Sequence, residues 1–242
     1  MGTRLHPATK VTNKHLLPVY DKPMIYYPLD NLIKAGITEI LIITGPEFAG
    51  DFMRLLGSGE ELGVDLTYKI QDKASGIAGA LKLAKEFILP DKWFVVILGD
   101  NIFTHGLKRE IEGFMSKAAL RDVNCAGIVL KEVPDPERFG VAEVNDAAEV
   151  VSIEEKPLEP KSNLCVTGVY IYPSDVFFMC DQLSPSERGE LEITDINNMF
   201  VKLERLYAFK YEFGWYDAGT HDSILKVSNA IKKLKNVQQS DK

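Results

Sequence analysis

Two stretches of this 242-residue sequence carry residue types that could do chemistry. The first is the opening, Gly2-Thr3-Arg4, followed within about ten positions by Lys10 and Lys14. Pro7 and Pro18 forbid a continuous helix across it, which predicts an irregular loop. Gly, Thr, Arg and Lys gathered on a loop suit a phosphate: glycine lets backbone N–H groups approach the anion, and an arginine forks two donors onto it. The alternative is a solvated basic arm. The second stretch is Gly99-Asp100-Asn101, which directly follows the most hydrophobic run of the chain. In doubly wound sheets ligands sit at the carboxyl ends of strands, so a working carboxylate belongs there. The alternative makes Asp100 a turn residue capping the next helix.

Strand ends and loops must position these groups, and the patterning supplies both. Apolar residues at helical spacing (Ile25, Leu29, Leu32, Ile33) predict a helix over 24–35, stopped at Gly36. An isoleucine-rich strand over 39–44, a helix over 48–56 and a strand over 66–71 follow. An Ala- and Leu-rich helix over 76–89 is closed by Pro90, and a strand over 93–98 precedes a helix over 107–119. This alternation predicts an α/β fold with a mostly parallel sheet covered by helices. Past Asn124 come four strand-like segments, 125–133, 140–144, 150–156 and 166–172, with little helix between them. They predict a mixed extension of the sheet carrying the second half of a pocket. Helices over 174–183 and 193–204, a strand over 206–212, a last helix over 222–234 and a frayed tail over 236–242 complete the reading.

Composition narrows the function classes. The length suits one sizeable domain, and no linker, repeat or low-complexity tract divides it. A net charge of −7 and a pI near 5.2 leave no electrostatic footprint for nucleic acid, so none is expected as a partner. An acidic protein that binds a polyanion must concentrate its cations locally or recruit a metal. Cys125, Cys165 and Cys180 have no paired spacing, which argues for a reducing compartment. No apolar run reaches the roughly 20 residues of a membrane helix, and no signal-peptide core is present; the expectation is a cytoplasmic protein with no membrane partner.

Ten segments, in order along essentially the whole chain, resemble the sugar-1-phosphate nucleotidylyltransferases, in particular the glucose-1-phosphate thymidylyltransferases. They include Gly2-Thr-Arg4, Lys14-His-Leu-Leu-Pro-Val19, Lys22-Pro-Met-Ile-Tyr-Tyr-Pro28, Leu98-Gly-Asp-Asn101, Arg138-Phe-Gly-Val141, Glu154-Glu-Lys-Pro157, Gly189-Glu-Leu-Glu-Ile-Thr-Asp195 and Trp215-Tyr-Asp-Ala-Gly-Thr-His221. The resemblance implies a Rossmann-like, mostly parallel sheet with a smaller mixed-sheet sugar-binding subregion. It divides a single domain into a nucleotide-binding part over about 1–123, a sugar-binding part over about 124–220 and a C-terminal helix and tail over 221–242. It implies transfer of a nucleotidyl group from dTTP to glucose-1-phosphate, giving dTDP-glucose and pyrophosphate. The attacking phosphate oxygen is already ionised, so cations and a metal are needed rather than a nucleophile–base pair. By resemblance, Gly2, Thr3, Arg4 and Lys14 serve the triphosphate and Lys156 grips the sugar phosphate. Asp100 and Asp217 hold Mg²⁺, Gln71 and Gly76 read the base, and Gly140, Glu155, Val166, Gly168 and Glu190 face the sugar. A homodimer or homotetramer is implied as well.

Three departures qualify the resemblance. The family carries an apolar strand and a Gly-rich turn directly before Gly-Thr-Arg, where this sequence has Met1; the strand is central in the sheet, and its absence predicts the loss of five or six residues of ladder on both sides. His15 stands where many thymidylyltransferases have glutamine near the base, which keeps UTP or another sugar phosphate as an alternative. The chain ends soon after one helix, as in the short form, so feedback at a second site is not expected. A non-catalytic relative that binds nucleotide-sugars is a further alternative. A dinucleotide-dependent oxidoreductase is disfavoured, because Gly57-Ser-Gly59 follows a helix instead of preceding one.

Overall fold

The structure is a computed structural model that describes residues 3–120 and 123–240, the last three of these by backbone alone. The opening loop is irregular, as its prolines predict: it winds through single 3-10 turns at Thr3–Leu5, Ala8–Lys10 and Lys14–Leu16. A short hairpin follows, β1 (Pro18–Val19) against β2 (Lys22–Pro23), then α1 (Tyr26–Lys34). Next come β3 (Glu39–Thr44), α2 (Ala49–Leu56), β4 (Asp65–Ile70), α3 (Gly76–Leu83), β5 (Trp93–Ile97), β6 (Asn101–Phe103) and α4 (Lys108–Ala118). The second half holds β7 (Ala126–Glu132), β8 (Gly140–Val144), β9 (Val150–Glu155), β10 (Leu164–Pro173), α5 (Val176–Cys180), α6 (Ile193–Lys202), β11 (Leu206–Lys210), β12 (Trp215–Asp217) and α7 (His221–Ser240).

The α/β class holds, and the strands form a mixed arrangement. β3 and β4 pair in parallel, as do β7 and β11. The ten-residue β10 is the axis of a six-stranded sheet and lies antiparallel to β5, β7 and β8, with β9 beyond β8. Nine of its residues are buried, so it reads as a near-continuous apolar run. The pairing of β5 with β10 ties the two halves of the chain into one sheet. α1 and α2 cover one face through Leu29, Leu32, Phe52 and Leu56. α3, α5 and α6 cover the other through Leu81, Phe177, Ile196 and Phe200. α4 buries Phe114 completely beneath Trp93 and Tyr207; a fully buried Phe contributes roughly 1.5–3 kcal/mol relative to an exposed one.

Three helices depart clearly from their expected lengths, and α5 is regular only over Val176–Cys180 of the expected 174–183. α3 stops at Leu83 rather than 89, because residues 84–88 continue as tight turns onto the Ala84 carbonyl and drop Ile88 against the core. α7 runs on to Ser240, so the expected fraying from 236 is not seen among the described residues: no Gly or Pro stops the helix after Leu234. α7 is docked by the β1–β2 hairpin, where the Tyr20 N–H donates to Ser228 Oγ at 3.1 Å and Asp21 pairs with Lys235. Among the described residues, no helix is long and apolar enough to cross a membrane.

Candidate active site

Asp100 and Asp217 are 117 residues apart in sequence and adjacent in the fold. β12 returns antiparallel to β6, with Asp217 opposite Asn101, and the Ala218 N–H donates to the Asp100 carbonyl at 2.9 Å. Asn101 locks the corner: its Oδ1 accepts from the Gly168 N–H at 2.9 Å and from Trp215 Nε1 at 2.7 Å, while its Nδ2 donates to Asp100 Oδ1 at 3.1 Å. A side chain at Gly168 would strike Asn101 and Leu98, both 2.7 Å from the position of its Cβ, so this crossing requires glycine.

The cations of the opening loop reach this corner. Lys14 Nζ sits 2.5 Å from Asp100 Oδ2. Arg4 packs against Gly219, where an added Cβ would lie 3.1 Å from its Nη2 and 3.2 Å from Asp217 Oδ1. Burial alone would raise the pKa of Asp100, but the Lys14 ammonium and hydrogen bonds from Lys14 and Asn101 outweigh it and hold the value at about 2. Asp217 moves the other way, raised first by burial and then by the Asp100 charge, with Lys14, Arg4 and Arg138 opposing. Burial and the Lys14 charge bring the pKa of His15 down to about 4; its ring packs on Gly99. The buried Asp100 and half-buried Asp217, with Lys14 and Arg4 beside them, can share a cation and grip a polyanion. Among the described residues, no group of three or more His, Cys, Asp or Glu could hold a metal. A metal here would therefore lean on oxygens of its substrate, as Mg²⁺ commonly does.

The second cluster lies at the β8–β9 pair. Glu155 is paired with Gly140 and accepts from Lys156 Nζ at 2.8 Å, Thr194 Oγ1 at 2.9 Å and Arg188 Nη2 at 3.4 Å. Burial opposes its ionisation, but these donors, Lys156 foremost, bring its pKa below the usual value. Lys156 holds a left-handed backbone at φ +47°, pinned by its N–H donating to the Phe139 carbonyl at 2.9 Å. A non-glycine residue held in that region is strained, which marks a position set by its surroundings. Gly140 leaves the Glu155 carboxylate room, 3.4 Å from where a Cβ would stand.

Gln71, at the end of β4, donates to Ser75 Oγ at 3.2 Å and to the Gly76 carbonyl at 3.4 Å. Gly76, at φ +84°, touches the other cluster: a Cβ there would lie 2.6 Å from the Leu191 carbonyl and 3.1 Å from Glu190 Cβ. The Leu191 N–H donates to the Ser75 carbonyl at 2.9 Å, so Gln71, Gly76 and Glu190 are brought together. Val166 is buried within β10 beside Leu130, next to a register shift. Thr3 is exposed at the start of the first turn, and Gly2 lies outside the described residues.

Four contributors escaped the sequence reading: Arg138, whose charge opposes the raised pKa of Asp217; Arg188 and Thr194, which hold Glu155; and Tyr170, whose phenol pKa is raised by burial and then by both Glu155 and Asp100. The place of Tyr170 in an apolar strand disguised it as core; Arg138 and Thr194 sit in matching segments and Arg188 directly precedes one, but no spacing in the sequence ties them to their carboxylates.

Comparison with known proteins bears on the whole assembly. The Nucleotidyl transferase family matches residues 1–234. A glucose-1-phosphate thymidylyltransferase of Neisseria meningitidis is 44% identical over 241 residues, covering 98% of this chain and 81% of its own. One from Mycobacterium tuberculosis is 41% identical over 240 residues with the same coverage. A Bacillus anthracis structure assigned as this enzyme, crystallised with sucrose, superposes with a TM-score of 0.88 at 49% identity, over 95% of this chain and 91% of that one. UDP-glucose pyrophosphorylase bound to UDP-glucose gives 0.83 at 26% identity, over 96% and 95%. With a match that spans both carboxylates, both lysine clusters and the strands between them, this chain belongs to the nucleotidyl transferase family.

Proposed function

We propose that the protein transfers a thymidylyl group from dTTP to glucose-1-phosphate, forming dTDP-glucose and pyrophosphate. The observation that carries this is the corner where β6 and β12 set Asp100 against Asp217 under Arg4 and Lys14. Such a corner suits a triphosphate. Arg4 and Lys14 bind its phosphates and offset charge on the departing pyrophosphate, while Lys156 holds the phosphate of the sugar. A sugar-phosphate oxygen attacks the α-phosphorus in line, forming one P–O bond as the bond to pyrophosphate breaks, and no proton need be removed. Asp100 and Asp217 would hold Mg²⁺, which supplies charge neutralisation and a template for the two phosphates when bound.

Lys14 and Lys156 pair with Asp100 and Glu155, so in this reading each lysine exchanges a carboxylate for a substrate phosphate. Gln71 and Gly76 face the base, with Thr3 and Gly2 beside the triphosphate. Gly140, Glu155, Val166, Gly168 and Glu190 line the sugar side. The nucleotide part over 1–123 and the sugar part over 124–220 form one domain closed by 221–242. A homodimer or homotetramer is the assembly the resemblance implies. The buried free thiols of Cys165 and Cys180 fit a reducing, cytoplasmic setting.

UTP is the second reading, favoured by His15 resting on Gly99 at the site. The test is pyrophosphate release from dTTP and from UTP, each with glucose-1-phosphate. Release favouring dTTP, lost with EDTA and restored by Mg²⁺, is expected. Nucleotide binding with no release from either triphosphate would reject the enzyme in favour of a non-catalytic binder.

A further inference from the structure

Two residues at the start of α3 work against the helix they belong to. Ser75 stands at its N-cap, where a serine hydroxyl normally accepts from an N–H of the first turn and stabilises the helix. Here it makes no capping bond, and its backbone, at φ −113° and ψ +22°, lies outside the extended region that a capping residue usually adopts. One turn on, Gly79 is a buried glycine inside the helix, a position where alanine is favoured by backbone entropy.

The two oddities fit each other. A Cβ at Gly79 would lie 2.0 Å from Ser75 Oγ and 2.8 Å from Ser75 Cβ, so glycine leaves the slot into which the serine side chain folds back along the helix. In that slot the hydroxyl accepts from Gln71 Nε2 at 3.2 Å, and the same nitrogen donates to the Gly76 carbonyl at 3.4 Å. The backbone of Ser75 is fixed too. Its carbonyl accepts from the Leu191 N–H at 2.9 Å, and Gly76, at φ +84°, packs on the Leu191 carbonyl.

We propose that Ser75 and Gly79 are positioning residues for Gln71: the glycine makes the slot, the serine fills it, and the serine hydroxyl fixes which end of the Gln71 amide meets the nucleotide base. The inference rests on the reading of Gln71 as a base contact given above. With Nε2 directed at Ser75 and Gly76, Oε1 is the end left for a ligand, so the base edge it meets carries an N–H donor. A glutamine side chain is long and must be ordered before it can read a base, and ordering it in advance lowers the cost of binding. The loss of a helix cap and the glycine inside α3 are what that ordering costs the fold.

The test is steady-state pyrophosphate release by the full chain carrying Ser75→Ala, Gly79→Ala, Gln71→Ala, or Ser75→Ala combined with Gln71→Ala. Ser75→Ala is expected to raise KM for dTTP about three- to tenfold, the scale of one hydrogen bond, with kcat within about twofold and KM for glucose-1-phosphate unchanged. Gly79→Ala drives the hydroxyl from its slot and should do the same. Tripolyphosphate, which has no base, serves as a competitor of dTTP, and its Ki should keep the parent value in both variants. Once Gln71 is alanine, Ser75→Ala should add less than about twofold, because the group it positions is gone. Equal losses with and without Gln71, or weakened tripolyphosphate binding, would overturn the proposal by making Ser75 a support of the whole site. Parent kinetics in Ser75→Ala beside an impaired Gln71→Ala would overturn this inference alone. No release from dTTP by the parent, or a Gln71→Ala variant with parent KM, would remove the reading beneath it and this inference with it. If Gly79→Ala fails to fold, Ser75→Ala and its pairing with Gln71→Ala decide.

Discussion

The carboxylate corner and the Glu155 cluster both set lysines on carboxylates, but they are built differently. Asp100 and Asp217 come from opposite halves of the chain, are largely buried, and carry pKa values pushed in opposite directions. Glu155 and Lys156 are neighbours in sequence, and Lys156 and Arg188 are solvent-exposed. The first region concentrates charge where little water screens it; the second keeps its ion pairs at the surface, where each is worth at most about 1 kcal/mol. A strong local field at the buried corner and weak, screened pairing at the exposed cluster are what this contrast teaches.

The sharpest way to break it is Asp217→Asn. Turnover should fall at least 10²-fold, about 2.7 kcal/mol, if this carboxylate acts on the transition state. Stability should hold: the raised pKa of Asp217 means that its contribution is present below the unfolded carboxylate value and is lost as pH rises through the raised one. The neutral amide is therefore no worse at pH 7. Asp100→Asn should lose stability at pH 7, since the lowered pKa of Asp100 contributes stability above its unfolded value that disappears only as pH falls toward about 2. Thermal melts of both variants across pH would expose a wrong sign in either case.

Arg4→Ala should lower kcat by roughly 10²-fold with an unchanged melt if its guanidinium meets phosphate, as proposed. A near-parent kcat would remove it from the triphosphate. Gln71→Ala should shrink the dTTP/UTP preference in kcat/KM by up to about tenfold, the scale of one hydrogen bond; an unaltered ratio would move base reading elsewhere. Arg188→Ala should be mildest, raising KM for glucose-1-phosphate about threefold while kcat stays within twofold, as befits an exposed partner of Glu155. A large loss in kcat would mean that the sugar end is as rigid as the carboxylate corner.

Much of this was legible before any coordinates. The isoleucines of 39–44, the Trp-to-Leu run ending at Asp100, and the four strands after Asn124 are patterns in which burial is written along the chain, and β3 and β8 have the expected bounds. Asp100 was visible because a carboxylate directly after a buried strand has one natural place to stand. Arg138, Arg188 and Tyr170 were not, because their significance comes from what crosses them in space. Tyr170 looks like core in a buried strand until the charges of Glu155 and Asp100 are brought within reach of it.

The sequence by itself determined the elements, the basic opening loop and Gly76 with its left-handed backbone, since these depend on local sterics and on periodic burial, whereas Gly168 is required by Asn101 and Leu98 across the sheet. Tertiary structure decided what those elements meet. The β6–β12 pairing sets two like charges side by side, which no local preference favours and only the surrounding cations make tolerable. It also chose β10 as the partner of β5, because strand pairing is a long-range choice made by the whole sheet and not by either strand.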